Sequence, residues 1–218
     1  MALGKDYATQ QCSIARALEI VGERWTLLVV RDAFYGVRRY NDFLVHLGLP
    51  RAVLASRLQS LERAGVLEKR RYQHSPPRDE YVLTDRGIAL WPVLRSLGVW
   101  GAGQADGADG TDETNGTETN GTETNGTETN GTETNGTETN GTETNGTDVA
   151  KPLRVFTHAA CGTELGAYGE CPACGVPVPP ADVEMLPGAG LDPDPRDPVR
   201  RALLRPRRLL QPLETDRV

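Results

Sequence analysis

From Tyr40 to Thr84 the chain reads YNDFLVHLGLPRAVLASRLQSLERAGVLEKRRYQHSPPRDEYVLT, and this run decides the fold. Tyr40 to His46 and Pro50 to Ala64 are two helical stretches separated by Leu47-Gly48-Leu49. Pro50 suits the first turn of a helix, because its missing N–H has no intrahelical partner there, and Gly65 ends the second stretch. Leu54, Leu58 and Leu61 recur at helical spacing and line one face, while Arg51, Ser56, Gln59, Ser60 and Arg63 point elsewhere. Val66 to Tyr72 then predicts a strand, Gln73 to Asp79 a loop carrying Pro76-Pro77, and Glu80 to Leu83 a returning strand.

Working outward, Ile14, Ala17, Leu18 and Val21 follow helical spacing and stop at Gly22, a suitable C-terminal cap. Trp25 to Phe34 is apolar nearly all round and stops before Gly36, which predicts a short buried helix. Downstream, Thr84 can cap a last helix from Asp85 to about Trp100, with Asp85 well placed against the helix dipole. Pro92 removes a backbone hydrogen bond within that helix and predicts a kink. The order is helix, helix, helix-turn-helix, two-stranded hairpin, helix. The fold class expected for residues 1–103 is therefore mainly α with a small β-hairpin wing, a winged helix-turn-helix.

Charge is unevenly distributed. The 218 residues carry 24 Lys plus Arg against 30 Asp plus Glu, a net charge of -6. The first hundred residues hold 15 basic and 10 acidic side chains, residues 101–150 hold 11 acidic and no basic ones, and residues 151–218 hold 9 of each. From Asn115 the pentapeptide Asn-Gly-Thr-Glu-Thr runs six times to Thr144, with a seventh copy decaying at Asp148. Without aromatic or aliphatic side chains such a segment cannot offset its ordering entropy, so residues 104–150 are expected to be a disordered acidic linker. Its Asn-Gly-Thr sequons lack a secretion signal beside them and are read as chance matches. No apolar run approaches the roughly 18 to 20 residues of a membrane span, and Met1 to Ala17 has no signal-peptide stretch, so a cytoplasmic protein without membrane contact is expected. Too little chain remains for a large catalytic domain, and no nucleophile, base or cofactor motif points to an enzyme.

Cations fall where a DNA reader needs them. Arg38 and Arg39 precede the first helix of the pair, Arg51 begins the second, and Lys69, Arg70, Arg71 and Arg78 lie on the hairpin. A recognition helix enters the major groove while flanking cations grip phosphates. Arg51, Ser56 and Gln59 are the candidates nearest base edges. Arg38, Arg39, Lys69, Arg70, Arg71 and Arg78 are the candidates for phosphate.

Six motifs in order then resemble one family. They are Cys12-Ser13-Ile14-Ala15-Arg16-Ala17-Leu18-Glu19-Ile20-Val21-Gly22-Glu23-Arg24-Trp25-Thr26-Leu27-Leu28, Arg39-Tyr40-Asn41-Asp42-Phe43, Leu54-Ala55-Ser56-Arg57-Leu58, Leu61-Glu62-Arg63-Ala64-Gly65-Val66-Leu67, Pro76-Pro77-Arg78-Asp79-Glu80-Tyr81-Val82-Leu83-Thr84-Asp85-Arg86-Gly87, and Trp100-Gly101. Together they are similar to HxlR-type winged helix-turn-helix regulators, from about Tyr7 to Gly103. The resemblance implies a transcriptional regulator that binds double-stranded DNA as a homodimer, paired through Asp85 to Trp100 with help from the first helix. Ser13 stands where the family usually has Pro, Tyr40 where Phe is common, and Leu49-Pro50 replaces a frequent Ile-Ser. Cys12 occupies a position at which some members carry a redox-sensing thiol, so a possible redox sensor is assigned there. The effector is not specified by the sequence.

A second constellation is His158-Ala-Ala-Cys161-Gly, then, after nine residues, Cys171-Pro-Ala-Cys174-Gly. Two pairs at two-residue spacing, each followed by Gly, can form two tight knuckles whose donors close a tetrahedral Zn²⁺ site. The expected set is His158, Cys161, Cys171 and Cys174, in a zinc-ribbon-like module over residues 151–186. A zinc deaminase is excluded, because Ala160 stands where its Glu must follow the His and Glu170 where Pro must precede the Cys pair. A thioredoxin-like pair is disfavoured by Gly175, Pro177, Pro179 and Pro180, which follow the motif where a helix must start. Four protein ligands leave no open position, which makes the zinc structural. Residues 187–218 are Pro-rich and then basic, and are expected to be a solvated, disordered tail. The rival to DNA-binding regulation is a protein-interaction adaptor built from a winged helix and a zinc module.

Overall fold

The computed structural model describes residue 7, residues 11–104 and residues 152–215. The repeat, and the disorder expected of it, lie outside the described residues.

The first half follows the expected order. Helices α1 (Ser13–Val21), α2 (Thr26–Phe34), α3 (Tyr40–Leu47) and α4 (Arg51–Arg63) precede strands β1 (Leu67–His74) and β2 (Pro77–Leu83). The turn between α3 and α4 rests on Gly48, whose φ of 64° places it in the left-handed region that favours glycine. Pro50 is the residue before α4 and leaves its carbonyl to accept from Val53 and Leu54 at 3.0 and 3.1 Å. Leu54, Leu58 and Leu61 are buried against Val30, Phe34 and Phe43 in one core. The wing is longer than its sequence suggests: the expected loop from Gln73 to Asp79 shrinks to a turn at Ser75-Pro76, and the strands extend to meet it.

The last helix differs from expectation. Thr84 does cap it, accepting from the Gly87 N–H at 3.1 Å, but the chain breaks after one turn into α5 (Asp85–Ile88) and α6 (Trp91–Gln104). Pro92 therefore sits in the first turn of α6 instead of kinking a longer helix. That position tolerates proline because its N–H is unused there.

The second half contains β3 (Arg154–His158), a small hairpin of β4 (Glu170–Cys171) and β5 (Val176–Pro177), β6 (Val183–Pro187), α7 (Pro198–Ala202) and β7 (Arg207–Arg208). β3, β6 and β7 form one antiparallel sheet in that order, with Phe156 opposite Met185. The expectation of a disordered tail over 187–218 fails across its described part. β7 comes from that tail and completes the sheet, and Asp197 caps α7 by accepting from the Val199 N–H at 2.8 Å. Leu203, Leu209 and Leu213 are buried, so the tail's leucines are core residues and its arginines the rim.

The two halves share a single apolar core. Trp91 of α6 lies between Phe34 of α2 and Phe156 of β3, with ring centroids 5.4 Å away on each side. Leu210 and Leu213 donate their N–H groups to the carbonyls of Phe34 and Gly36, both at 2.8 Å. Gly36 has φ 88°, and a Cβ there would run into the carbonyl of Gln211, so the crossing needs glycine. The fully buried carboxylate of Asp32 ties α2 to α3, accepting from Arg31 at 2.7 and 2.9 Å and meeting Nδ1 of His46 at 2.7 Å.

A shared core predicts shared unfolding. Leu203→Ala leaves a cavity costing about 3 kcal/mol, and because the core is continuous the helical half and the C-terminal half are expected to lose stability together. Chemical denaturation followed by tryptophan fluorescence and by circular dichroism checks this. A helical half that unfolds at an unchanged midpoint would mean that the tail merely lies on the surface.

Candidate nucleic-acid interface and metal centre

α4 presents its apolar face to the core, which leaves Arg51, Ala52, Ala55, Ser56, Gln59 and Glu62 exposed along the other. Between this face and the wing runs an open groove lined by Tyr40, Ala52, Ala55, Ser56, Gln59, Glu62, Lys69 and Tyr81. The small side chains in its middle let a ligand approach the helix backbone. The Tyr40 hydroxyl donates to the carbonyl of Arg51 at 2.8 Å and pins the start of α4 to α3. Tyr81, Ala52, Ala55 and Glu62 were not among the expected site residues. For Ala52, Ala55 and Glu62 the only sequence signal is small and polar residues at helical spacing on α4, while Tyr81, on β2, has none.

The wing's cations are largely paired with the wing's own acids. Antiparallel register sets Arg71 opposite Asp79 and Arg70 opposite Glu80. Arg70 donates to Glu80 at 2.7 and 3.1 Å, Arg71 to Asp79 at 2.9 Å, and Lys69 lies 3.4 Å from the same Asp79. The hydrogen bond from Arg71, helped by Lys69, holds the Asp79 carboxyl below its ordinary range, and Glu80 raises the pKa of Arg70. Among the described residues Arg39, Arg51 and Arg78 form no ion pair. Arg39 stacks on Tyr72 with its guanidinium 5.0 Å from the ring centre.

Arg38 is placed differently from the other expected phosphate contacts. It is turned inward, donating to the Leu210 carbonyl at 2.8 Å and lying 3.7 Å from Glu80, with burial lowering its pKa. The structure uses it to brace the C-terminal segment against the base of the wing.

Cys12 precedes α1 and is exposed. The backbone N–H groups of Ala15 and Ile14 lower its thiol pKa, the ordinary effect of a helix start on a thiolate.

His158, Cys161, Cys171 and Cys174 converge as their spacing predicts, with one donor atom from each and all four within 4.8 Å of one another. β3 delivers His158 and the following turn Cys161, while the β4–β5 hairpin carries Cys171 and Cys174. The knuckle glycines Gly162 and Gly175 have φ of 72° and 71°. Nδ1 of His158 lies 3.4 Å from the sulfurs of both Cys161 and Cys174, and the Cys161 sulfur lies 3.5 Å from that of Cys171 and 3.7 Å from that of Cys174. Crowding of the thiols splits their acidities. Cys161 is lowered to about 6, first by hydrogen bonds with Thr163, whereas Cys174 is raised to about 11 by its hydrogen bonds to Cys171 and Cys161. Such a set can hold a metal ion, with thiolates in place of shared protons.

Comparison with known proteins places the first half. The HxlR-like helix-turn-helix family profile matches residues 20–109. The HTH-type transcriptional regulator Rv3095 of Mycobacterium tuberculosis is 47% identical over 89 residues, 41% of this chain and 56% of that protein. YdeP of Bacillus subtilis, also an HTH-type transcriptional regulator, is 32% identical over 111 residues, 49% of this chain and 87% of YdeP. The chain thus spans little more than half the length of the mycobacterial relatives. Among solved structures, the redox regulator HypR in its oxidised form matches at 27% identity and a TM-score of 0.40, covering 42% of this chain and 96% of that one. With YdeP matched over most of its length, the chain belongs to the HxlR-like helix-turn-helix family.

Proposed function

We propose that the chain is a transcriptional regulator that binds specific double-stranded DNA as a homodimer and carries a structural zinc. The groove between α4 and the wing carries the reading. In it Ser56 and Gln59 are exposed, and Arg51 is exposed at the start of the same helix, an arrangement that suits a recognition helix reading base edges. Arg39, Arg78 and the wing residues Lys69, Arg70 and Arg71 hold phosphates on either side, and Arg38 acts from behind as a brace. A redox-responsive output would rest on the exposed Cys12 thiol, whose pKa the backbone N–H groups of Ala15 and Ile14 lower.

Pairing of two copies is supported by an apolar stripe on α6. Val93, Leu97 and Trp100 recur at helical spacing and are exposed, Trp100 by 66%. Ile14 and Leu18 of α1 are also exposed. A tryptophan so open to water on a regular apolar stripe is the mark of a covered surface.

The donor set fits zinc. Bond lengths of about 2.3 Å to sulfur and about 2.0 Å to nitrogen in a tetrahedron require about 3.8 Å between sulfurs and about 3.5 Å between sulfur and nitrogen. The observed 3.5 and 3.7 Å, and the two 3.4 Å separations, match this closely. Four protein donors leave no coordination position for a substrate.

Fluorescence anisotropy with DNA from beside the protein's own coding region tests the DNA reading. Arg51→Ala is expected to weaken binding of that DNA by about 1–3 kcal/mol and binding of random DNA far less. Asp79→Asn releases Lys69 and Arg71 and is expected to tighten both a few-fold. With Arg39, Lys69, Arg70, Arg71 and Arg78 in each copy, a dimer neutralises about ten phosphates, which gives a log-log salt slope near about -9, and binding that ignores salt would leave the adaptor reading in its place.

Trp100→Glu puts a charge into the stripe and is expected to yield monomers in sedimentation at concentrations where the unaltered chain is dimeric. An unaltered chain that is itself monomeric at high concentration would refute the pairing.

Metal analysis of the full chain, purified without chelator, is expected to give one zinc per chain. Cys171→Ser is expected to release it and destabilise the whole fold, since three ligands hold a structural ion poorly. Metal-free protein with unaltered stability would remove the zinc from the account.

A further inference from the structure

At the joint between the two halves lies a cavity of 330 Å³, within the size range of small-molecule sites. Its walls are apolar, from Leu27, Phe34, Trp91, Leu94 and Phe156, and it ends on Arg31, Arg95 and the ring of Tyr35. Arg95 donates only to backbone carbonyls, those of Leu165 and Gly166, at 3.1 and 2.9 Å. No carboxylate lies within ion-pairing distance of it among the described residues, while Arg31 is satisfied by Asp32. The Arg95 guanidinium stacks on Phe156 at 4.8 Å, and Arg31 and Arg154 flank the Tyr35 ring at 5.7 and 6.0 Å. Burial lowers the pKa of both Arg95 and Arg154, and Glu164 and Glu170 offset this at Arg95 only from a distance. The Tyr35 hydroxyl makes no hydrogen bond among the described residues.

A cation kept partly out of water without a paired anion, as Arg95 is, is an unfavourable arrangement that a bound anion relieves. We infer that this cavity binds a small organic carboxylate with an apolar body. The carboxylate accepts from Arg95 and the Tyr35 hydroxyl, and the body lies against Leu27, Phe34, Trp91 and Leu94. The cavity needs Phe156 of the C-terminal half as well as α2 and α6, so only the folded full chain makes it. This inference goes beyond DNA binding and does not rest on it.

Isothermal titration of the zinc-replete full chain with octanoate, without DNA, tests the site. One octanoate per chain is expected, at about 1 mM or tighter for a ligand of some ten heavy atoms. The neutral isostere octanamide is expected to bind about tenfold or more weakly, as is octanoate to Arg95→Gln, because a charged hydrogen bond is lost in each case. Arg95→Lys, which keeps the charge, is expected to recover part of the affinity. A Cβ on Gly98, which also lines the cavity, meets nothing within 4 Å, so Gly98→Leu is expected to fold normally and block binding by filling the space. Equal binding of octanamide and octanoate, unaltered binding by Gly98→Leu, or no binding to the unaltered chain at millimolar octanoate would each overturn the inference.

Discussion

Trp91 sits between rings that belong to distant parts of the chain, Phe34 on one side and Phe156 on the other, each 5.4 Å away. The rest of the structure depends on this stack. Phe34 ends the helix that packs behind α4, Trp91 begins α6, and Phe156 lies in the central part of β3, two residues before the metal-cluster residue His158. An aromatic pair contributes about 0.5–1.5 kcal/mol beyond its area. Here the geometric effect outweighs that figure, because one side chain fixes a helix of the winged-helix half relative to the half that carries the His/Cys cluster. Its partners are reinforced by directional bonds: Leu210 and Leu213 to the end of α2, and Arg95 to the carbonyls of the knuckle loop.

Local chemistry made the helix-turn-helix and the metal cluster legible. Gly48 and Pro50 mark a turn, Thr84 a cap, and two-residue spacing between donors forces them onto one knuckle whatever surrounds it. These signals act over a few residues, so sequence displays them directly. The docking of the tail is of another kind. Leu203, Leu209 and Leu213 have no helical or alternating period, since Pro206 and the arginines fall between them, and each buries itself against a surface made elsewhere in the chain. A segment rich in Pro and Arg reads as solvated until a surface exists to receive its leucines. The kink expected at Pro92 is absent for a related reason. Its cost depends on which residue begins the helix, and that residue, Trp91, is fixed by the core.

The wing shows how register changes the meaning of a charge count. Four cations on a hairpin suggest a strongly basic edge, yet the pairing that places Arg71 opposite Asp79 and Arg70 opposite Glu80 cancels much of it. A shift of one residue would separate these pairs and turn each side chain to the other face. Exposed pairs of this kind contribute little to stability and are screened by salt. They also occupy the wing's cations, so any anion that reaches the hairpin must compete with Asp79 and Glu80 for the same guanidinium groups.

α6 is where these features meet. Its first residue is the aromatic joint, its Arg95 holds the loop between Cys161 and Cys171, and its outer face carries the stripe of Val93, Leu97 and Trp100. A rigid helix cannot shift at one of these places without moving at the others. Through Arg95 it is also bound to the loop between Cys161 and Cys171, so the orientation of α6 is set partly by the half that carries the His/Cys cluster.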